Sequence, residues 1–183
     1  MVHSGTSLID PYKIFARISL SEGQRVADFG CGRTGHFVFP AVKIVGDKGV
    51  VYAVDVIKNV LESIKSMARS EGFEAVQTVW SDIELPGKTP IPAGSLDVCF
   101  CINVLFQLKN KAGAIKEAAR LLKKGGFLVL VDWSKKLGAL GPSAESMLNP
   151  DQVKRLAEAE GFKFVDEVSA GEYHFCLIYE KSV

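Results

Sequence analysis

Apolar residues recur along this chain with two periods, and the alternation between them predicts the architecture. Short, nearly continuous apolar runs occupy Arg25 to Phe29, Val50 to Val54, Ala75 to Trp80, Ser95 to Ile102 and Phe127 to Val131. Such runs suit strands covered on both faces. Between them, apolar positions fall three and four residues apart. Ile57, Val60, Leu61, Ile64, Met67 and Ala68 form one such set, with Lys58, Glu62, Lys65 and Arg69 among the polar positions and Gly72 as the stop. Ala112, Ile115, Ala119 and Leu122 form another, with Lys123 and Lys124 near its negative end and Gly125-Gly126 expected to close it. A helix beginning near His36 or Phe37 puts Pro40 in the first turn, where its missing N–H has no intrahelical partner to lose, and Gly46 and Gly49 end it.

The flanks complete the pattern. Met1 to Ser21 carry Asp10-Pro11 as a helix start and Tyr12, Ile14, Phe15 and Ile18 at near-helical spacing. A helix packed on the domain is expected there, with Tyr12 or Phe15 as candidates for a lid. Ser134 to Leu148 has little periodicity and reads as a long loop, and Asn149-Pro150 as a capped helix start running to Gly161. Two last strands, Phe162 to Val168 and Tyr173 to Tyr179, are joined by a link so short that they must pair antiparallel. The fold expected is α/β: one domain over residues 1–183, with a Rossmann-like, seven-stranded, mostly parallel sheet, a C-terminal antiparallel hairpin and helices on both faces.

The stretch from Arg25 to Val56 holds the plan of a ligand site. Gly30-Cys31-Gly32-Arg33-Thr34-Gly35 turns a strand into a helix, and its glycines permit positive φ and close backbone approach. Asp28 closes the strand before it and Asp55 the strand after it. Ligands of doubly wound sheets sit outside the carboxyl ends of strands, so both acids should face one ligand, and Asp55 is placed to accept the hydroxyls of a ribose. A pyrophosphate would be repelled by Asp28, whereas the cationic groups of S-adenosyl-L-methionine would be attracted. Asp82, at the end of the third strand, is a candidate for an adenine amino group or a plain turn residue.

Composition narrows the partners. Among 183 residues, 22 Lys and Arg stand against 21 Asp and Glu, a net charge of +1, so bulk electrostatics favours neither nucleic acid nor an anionic membrane. A small-molecule acceptor is expected. Cys31, Cys99, Cys101 and Cys176 fit neither a metal-binding spacing nor a disulfide framework. No apolar run reaches about 18 residues and no secretion-type leader opens the chain, so a cytoplasmic protein without membrane insertion is expected.

The segments VADFGCGRTGHF, GDKGVVYAVDV, SDIELP, LDVCFCINVLFQL and EAARLLKKGGFLVLVDW together resemble the class I S-adenosylmethionine-dependent methyltransferases, most of all those related to ubiquinone and menaquinone biosynthesis. The resemblance implies that Asp28 and the Gly30, Cys31 and Gly32 backbone hold the methionine part. It puts Asp55 at the ribose, Val56 among the cofactor-binding residues, Asp82 and Ile83 at the adenine, and Asn103 under the donor. The third glycine comes one residue later than in the family pattern, so Arg33 and Thr34 inherit no role. Where many relatives have a histidine after the fourth strand, this chain has Phe106 and Gln107. The Pro-Pro-aromatic turn of enzymes that methylate a flipped adenine is missing there too. In-line transfer from a sulfonium needs position more than proton chemistry, so no catalytic residue is assigned. Tyr12, His36, Asp132 and His174 remain conceivable bases. The competing readings are an NAD-dependent oxidoreductase and a non-catalytic donor-binding module.

Overall fold

The structure is a computed structural model that describes residues 8–138 and 141–182, so the first seven residues of the expected N-terminal helical segment lie outside the described residues. Its order is α1 (Pro11–Arg17), β1 (Arg25–Phe29), α2 (Val38–Val45), β2 (Val50–Asp55), α3 (Lys58–Glu71), β3 (Val76–Trp80), β4 (Leu96–Ile102), α4 (Lys111–Leu121), β5 (Leu122–Trp133), α5 (Pro150–Ala159), β6 (Phe162–Ser169) and β7 (His174–Lys181). The seven strands form one sheet in the order β3-β2-β1-β4-β5-β7-β6. β1 to β5 are parallel, and β7 enters antiparallel between β5 and β6.

The period of two explains the layers. Val26, Val51, Val98, Phe100, Val129 and Ile178 face one side, packed with Ile14, Phe15, Val42 and Ile64 of α1, α2 and α3. Their neighbours Ala27, Val54, Cys99, Cys101, Leu128 and Leu177 face the other, packed with Ile115, Ala118, Val153 and Ala157 of α4 and α5. The central strands are therefore apolar on both faces at most positions, which is why they read as nearly continuous apolar runs. Asp10 caps α1 and Asn149 caps α5, each accepting from a backbone N–H two residues on and each followed by Pro at the first helical position.

One boundary departs from expectation. α4 ends at Leu121, and β5 begins at Leu122 rather than after Gly125-Gly126. The reason is tertiary. The carbonyls of Arg120 and Leu121 accept from Gly94 and Ser95 at 2.9 Å each, and Leu122 pairs with Leu96. The orphan acceptors of the last helical turn are thus taken by the approach to β4, so no glycine cap is needed.

Tyr179 on β7 is fully buried, packed edge-on against Phe162 and Phe164, and its hydroxyl has no hydrogen-bond partner. Burial also pushes its ionisation up. Tyr179→Phe keeps the ring and removes an unsatisfied polar group, so it should raise the unfolding free energy by about 1 kcal/mol in a urea titration. A loss of stability would show that the hydroxyl has a partner in solution.

Candidate active site

The carboxyl ends of β1 to β4 surround a cleft of about 590 Å³. Its wall includes Gly30, Gly32, Asp55, Val56, Asp82, Ile83 and Asn103, all named by sequence. Asp28 and Cys31 are not among the lining residues; both are buried, only 3% and 6% exposed. The loop is locked from below: Gly30 and Cys31 N–H both donate to the Val54 carbonyl, at 2.8 and 3.1 Å. Gly30 has φ 71°, and a Cβ there would lie 2.6 Å from Val104 Cγ2, so glycine is required twice over. Gly32 has φ 63°, and a Cβ there would meet nothing within 4 Å. That face of the loop is open for a ligand to approach the backbone.

Asp55 is held in place by two backbone donors, Ile57 N–H on Oδ1 at 2.9 Å and Gly32 N–H on Oδ2 at 3.3 Å. It is therefore oriented before any ligand arrives. Burial, then the charge of Asp55, pushes the carboxyl of Asp28 up to about 8. A carboxyl in that condition favours a cation beside it. Burial and both acids also push the Cys31 thiol up, so it carries no thiolate chemistry.

The third acid rests on a separate scaffold. Asp82 Oδ1 accepts from Glu84 N–H at 2.9 Å, and Ser81 shares a buried hydrogen bond with Thr89 at 3.0 Å. The loop that follows is fastened to α4: Glu117, fully buried, accepts from Gly87 N–H at 2.6 Å and Thr89 N–H at 2.9 Å and pairs with Arg120 at 2.8 Å.

Asn103 ends β4 in a left-handed conformation, φ 54°, uncommon for a residue with a side chain. Its carbonyl accepts from Gln107 Nε2 at 2.9 Å, and its amide Nδ2 lies 3.2 Å from His174 Nε2. Gln107 thus braces the turn. Asp132, 1% exposed, accepts from Phe106 N–H at 3.2 Å and Trp133 N–H at 2.8 Å. Burial raises its carboxyl to about 6, against the pull of those donors.

The remaining candidates separate. Phe15 packs on Phe37 and Phe100, with ring centroids 5.7 and 5.4 Å away, so it belongs to the core and not to a lid; a ring this apolar gains more under α2 than over a wet cleft. Tyr12 is half exposed. His36 Nε2 bonds the Ile9 carbonyl at 2.8 Å, tying the N-terminal segment to the start of α2. Arg33 and Thr34 are exposed on the loop. Sequence reasoning missed Ile57, Val60, Ser81 and Glu84, which line the cleft together with Val104, Gln107 and Leu108. Ile57 and Val60 had a signal, since they directly follow the acid and open the helix. A second concavity, about 520 Å³ between α3 and the start of β3, lies at the opposite end of the sheet and shares none of these residues.

Comparison with known proteins identifies the family and the fold. The methyltransferase domain family model matches residues 27–130. Aklanonic acid methyltransferase DauC of Streptomyces sp. (strain C5) is 34% identical over 57% of this chain and 46% of its own length. The tRNA N(3)-cytidine methyltransferase METTL2 of Danio rerio is 33% identical over 63% of this chain and 33% of its own. The ubiquinone/menaquinone biosynthesis C-methyltransferase UbiE of Vibrio cholerae is 33% identical over 63% of this chain and 43% of its own. The chain therefore spans less than half the length of these curated relatives. A SAM-dependent methyltransferase structure from Aquifex aeolicus superposes with a TM-score of 0.86, 26% identity, 97% of this chain and 92% of that one. The chain belongs to the methyltransferase domain family, among the class I S-adenosylmethionine-dependent methyltransferases. Its cofactor is S-adenosyl-L-methionine.

Proposed function

We propose that this protein transfers a methyl group from S-adenosyl-L-methionine to a small, partly apolar acceptor. The observation that carries this is the convergence, on one cleft, of an open glycine turn, the preset carboxylate of Asp55, and Asn103 at the end of β4. The cleft volume suits a ligand of this size. The donor supplies an already activated methyl on a sulfonium; the protein supplies place and dryness. In this reading Asp28 attracts the cationic methionine end and the Gly30 to Gly32 backbone bounds it. Asp55 accepts from the ribose diol beside Val56. Asp82 takes the adenine amino group, with Ile83 as an apolar wall, and Asn103 bounds the cleft next to β5. The walls beyond Asn103, from Val104 to Leu108, are mostly apolar, which supports an acceptor with apolar surface.

One relative methylates tRNA by its name. A net charge of +1 gives no broad field for a polyanion, which supports the small acceptor. The hydride-transfer alternative finds no support in the family or in the structural likeness. Among the described residues no helix is long and apolar enough to cross a membrane, and we take the cytoplasm as the site of action.

The test is calorimetry with S-adenosylhomocysteine. Micromolar binding is expected, and Asp55→Ala should weaken it 10- to 100-fold with the fold intact, since hydrogen bonds to a charged acceptor are worth about 1.5 to 3 kcal/mol. Retention of affinity within twofold would remove Asp55 from the ribose. No binding to the wild-type protein at millimolar ligand would end the reading.

A further inference from the structure

The donor groups proposed above cluster at the carboxyl ends of β1, β2 and β3, and Asn103, just after β4, marks their edge. Beyond it the sheet continues with β5 and β7. Because β7 runs against β5, its first residue, His174, lies beside the last residue of β5, Trp133, at the same end of the sheet as the cleft. The two rings are 4.3 Å apart. His174 is 4% exposed and Trp133 5% exposed.

Within this corner hydrogen bonding is incomplete. Asn103 and His174 bond each other, yet Asn103 Oδ1 and His174 Nδ1 are both buried with no partner among the described residues. Turning the amide over does not repair this. It exchanges which Asn103 atom is spare and leaves His174 Nδ1 as it was. Buried polar groups without partners are uncommon, and two adjoining ones beside a cleft point to a third party that completes them. Asn103 also holds its left-handed backbone here, and departures of that kind gather where ligands are held.

We propose that the Asn103 and His174 pair, with Trp133 as its apolar wall, is the acceptor subsite and takes a neutral hydroxyl or carbonyl group, such as the head of a phenol, an enol or a ketone. The inference rests on the methyl-transfer reading of the neighbouring cleft. One spare atom can donate and the other can accept, which matches a hydroxyl. Burial lowers the imidazole to about 4, so the pair is uncharged at neutral pH and offers no counter-charge to a carboxylate or phosphate. Asp132, buried one residue before Trp133, would repel an anion. His174 here is a binding and positioning residue. An imidazole this hard to protonate is a poor general base, so the hydroxyl is a handle for orientation. The loop after β5 lies over this corner: Ser134 N–H donates to the Tyr173 carbonyl at 2.8 Å, and a Cβ on Gly141 would come within 3.0 Å of the Trp133 ring. Entry of an acceptor requires that cover to shift.

The experiment uses full-length protein with ¹⁵N-labelled histidine, saturated with S-adenosylhomocysteine and titrated with phenol, toluene and benzoate. Phenol should move the His174 Nδ1 resonance and leave His36 in place, and should bind at least tenfold more tightly than toluene or benzoate. His174→Phe should lose that preference, and His174→Gln, which keeps a donor and an acceptor, should recover phenol binding to within about threefold. Equal binding of phenol and toluene, an unmoved His174, or a His174→Phe variant that keeps the preference would overturn the subsite while leaving donor binding standing. Failure of S-adenosylhomocysteine to bind would instead overturn the methyl-transfer reading, and this inference with it.

Discussion

Glu117→Ala should destabilise the protein by about 3 to 5 kcal/mol, the cost expected when one partner of a buried ion pair is removed and the other stays. Glu117 is fully buried in α4, and its carboxylate answers four groups at once: Gly87 N–H, Thr89 N–H, and Nε and Nη2 of Arg120. Burial alone would push its carboxyl up, but Arg120 and the backbone donors outweigh it and bring it down to about 2 from 4.5. A carboxyl depressed in the folded state stabilises fully above the unfolded value and loses that contribution as pH falls. The window is therefore about pH 4.5 down to 2, and its span corresponds to about 3 kcal/mol. Two routes thus give a similar figure. Urea unfolding of wild type and variant at pH 7 and pH 3 checks both, since the gap between the proteins should narrow at the lower pH. An unchanged gap would mean that the pairing with Arg120 contributes little. The effect reaches the site, because the loop that Glu117 fastens follows directly on Asp82.

Asp28→Asn should make the donor-free protein more stable and the donor-bound complex weaker. The folded carboxyl titrates near 8 and the unfolded one near 3.8, so between those values the folded state keeps a proton that the unfolded state has lost. Wild-type stability should then fall by about 1.4 kcal/mol per pH unit from this group as pH rises from 5 to 7, and the amide should abolish that slope. Donor binding runs the other way. If the cationic donor is held by ionised Asp28, affinity should climb up to tenfold per unit between pH 6 and pH 8, and Asp28→Asn should be flat and about a hundredfold weaker at pH 8, about 2.7 kcal/mol. Calorimetry with S-adenosylmethionine across that range is the measurement. A flat wild-type profile would show that Asp28 is not the group the cation meets.

The sheet was readable because strands covered on both faces are apolar at most positions, and β1, β2 and β4 show it apart from Arg25, Asp28, Asp55 and Asp97. The acids were readable for a related reason: Asp28, Asp55 and Asp82 stand where apolar runs stop, and a parallel sheet sends those stops to one end. What escaped depended on contacts made across long separations. The end of α4 is set by Gly94, Ser95 and Leu96, so glycines that look like a stop were misleading. Ser81 and Glu84 reach the cleft from the segment after β3, which has no periodic signature. His174 stood out as an isolated titratable residue, but its meeting with Asn103, 71 positions away, follows only once β7 is known to slot between β5 and β6.

That insertion of β7 brings residues from outside the family match to the edge of the cleft. The family match ends at residue 130, before Trp133 and well before His174, and it contains every acid and glycine proposed for the donor. The corner beside Trp133 is completed by a hairpin from the far end of the chain. On the proposed reading, changes in the hairpin or in the segment after β5 would alter the acceptor while leaving every proposed donor group in place. Asn103 belongs to both regions, lining the cleft on one side and meeting His174 on the other, so a replacement there would have to satisfy both.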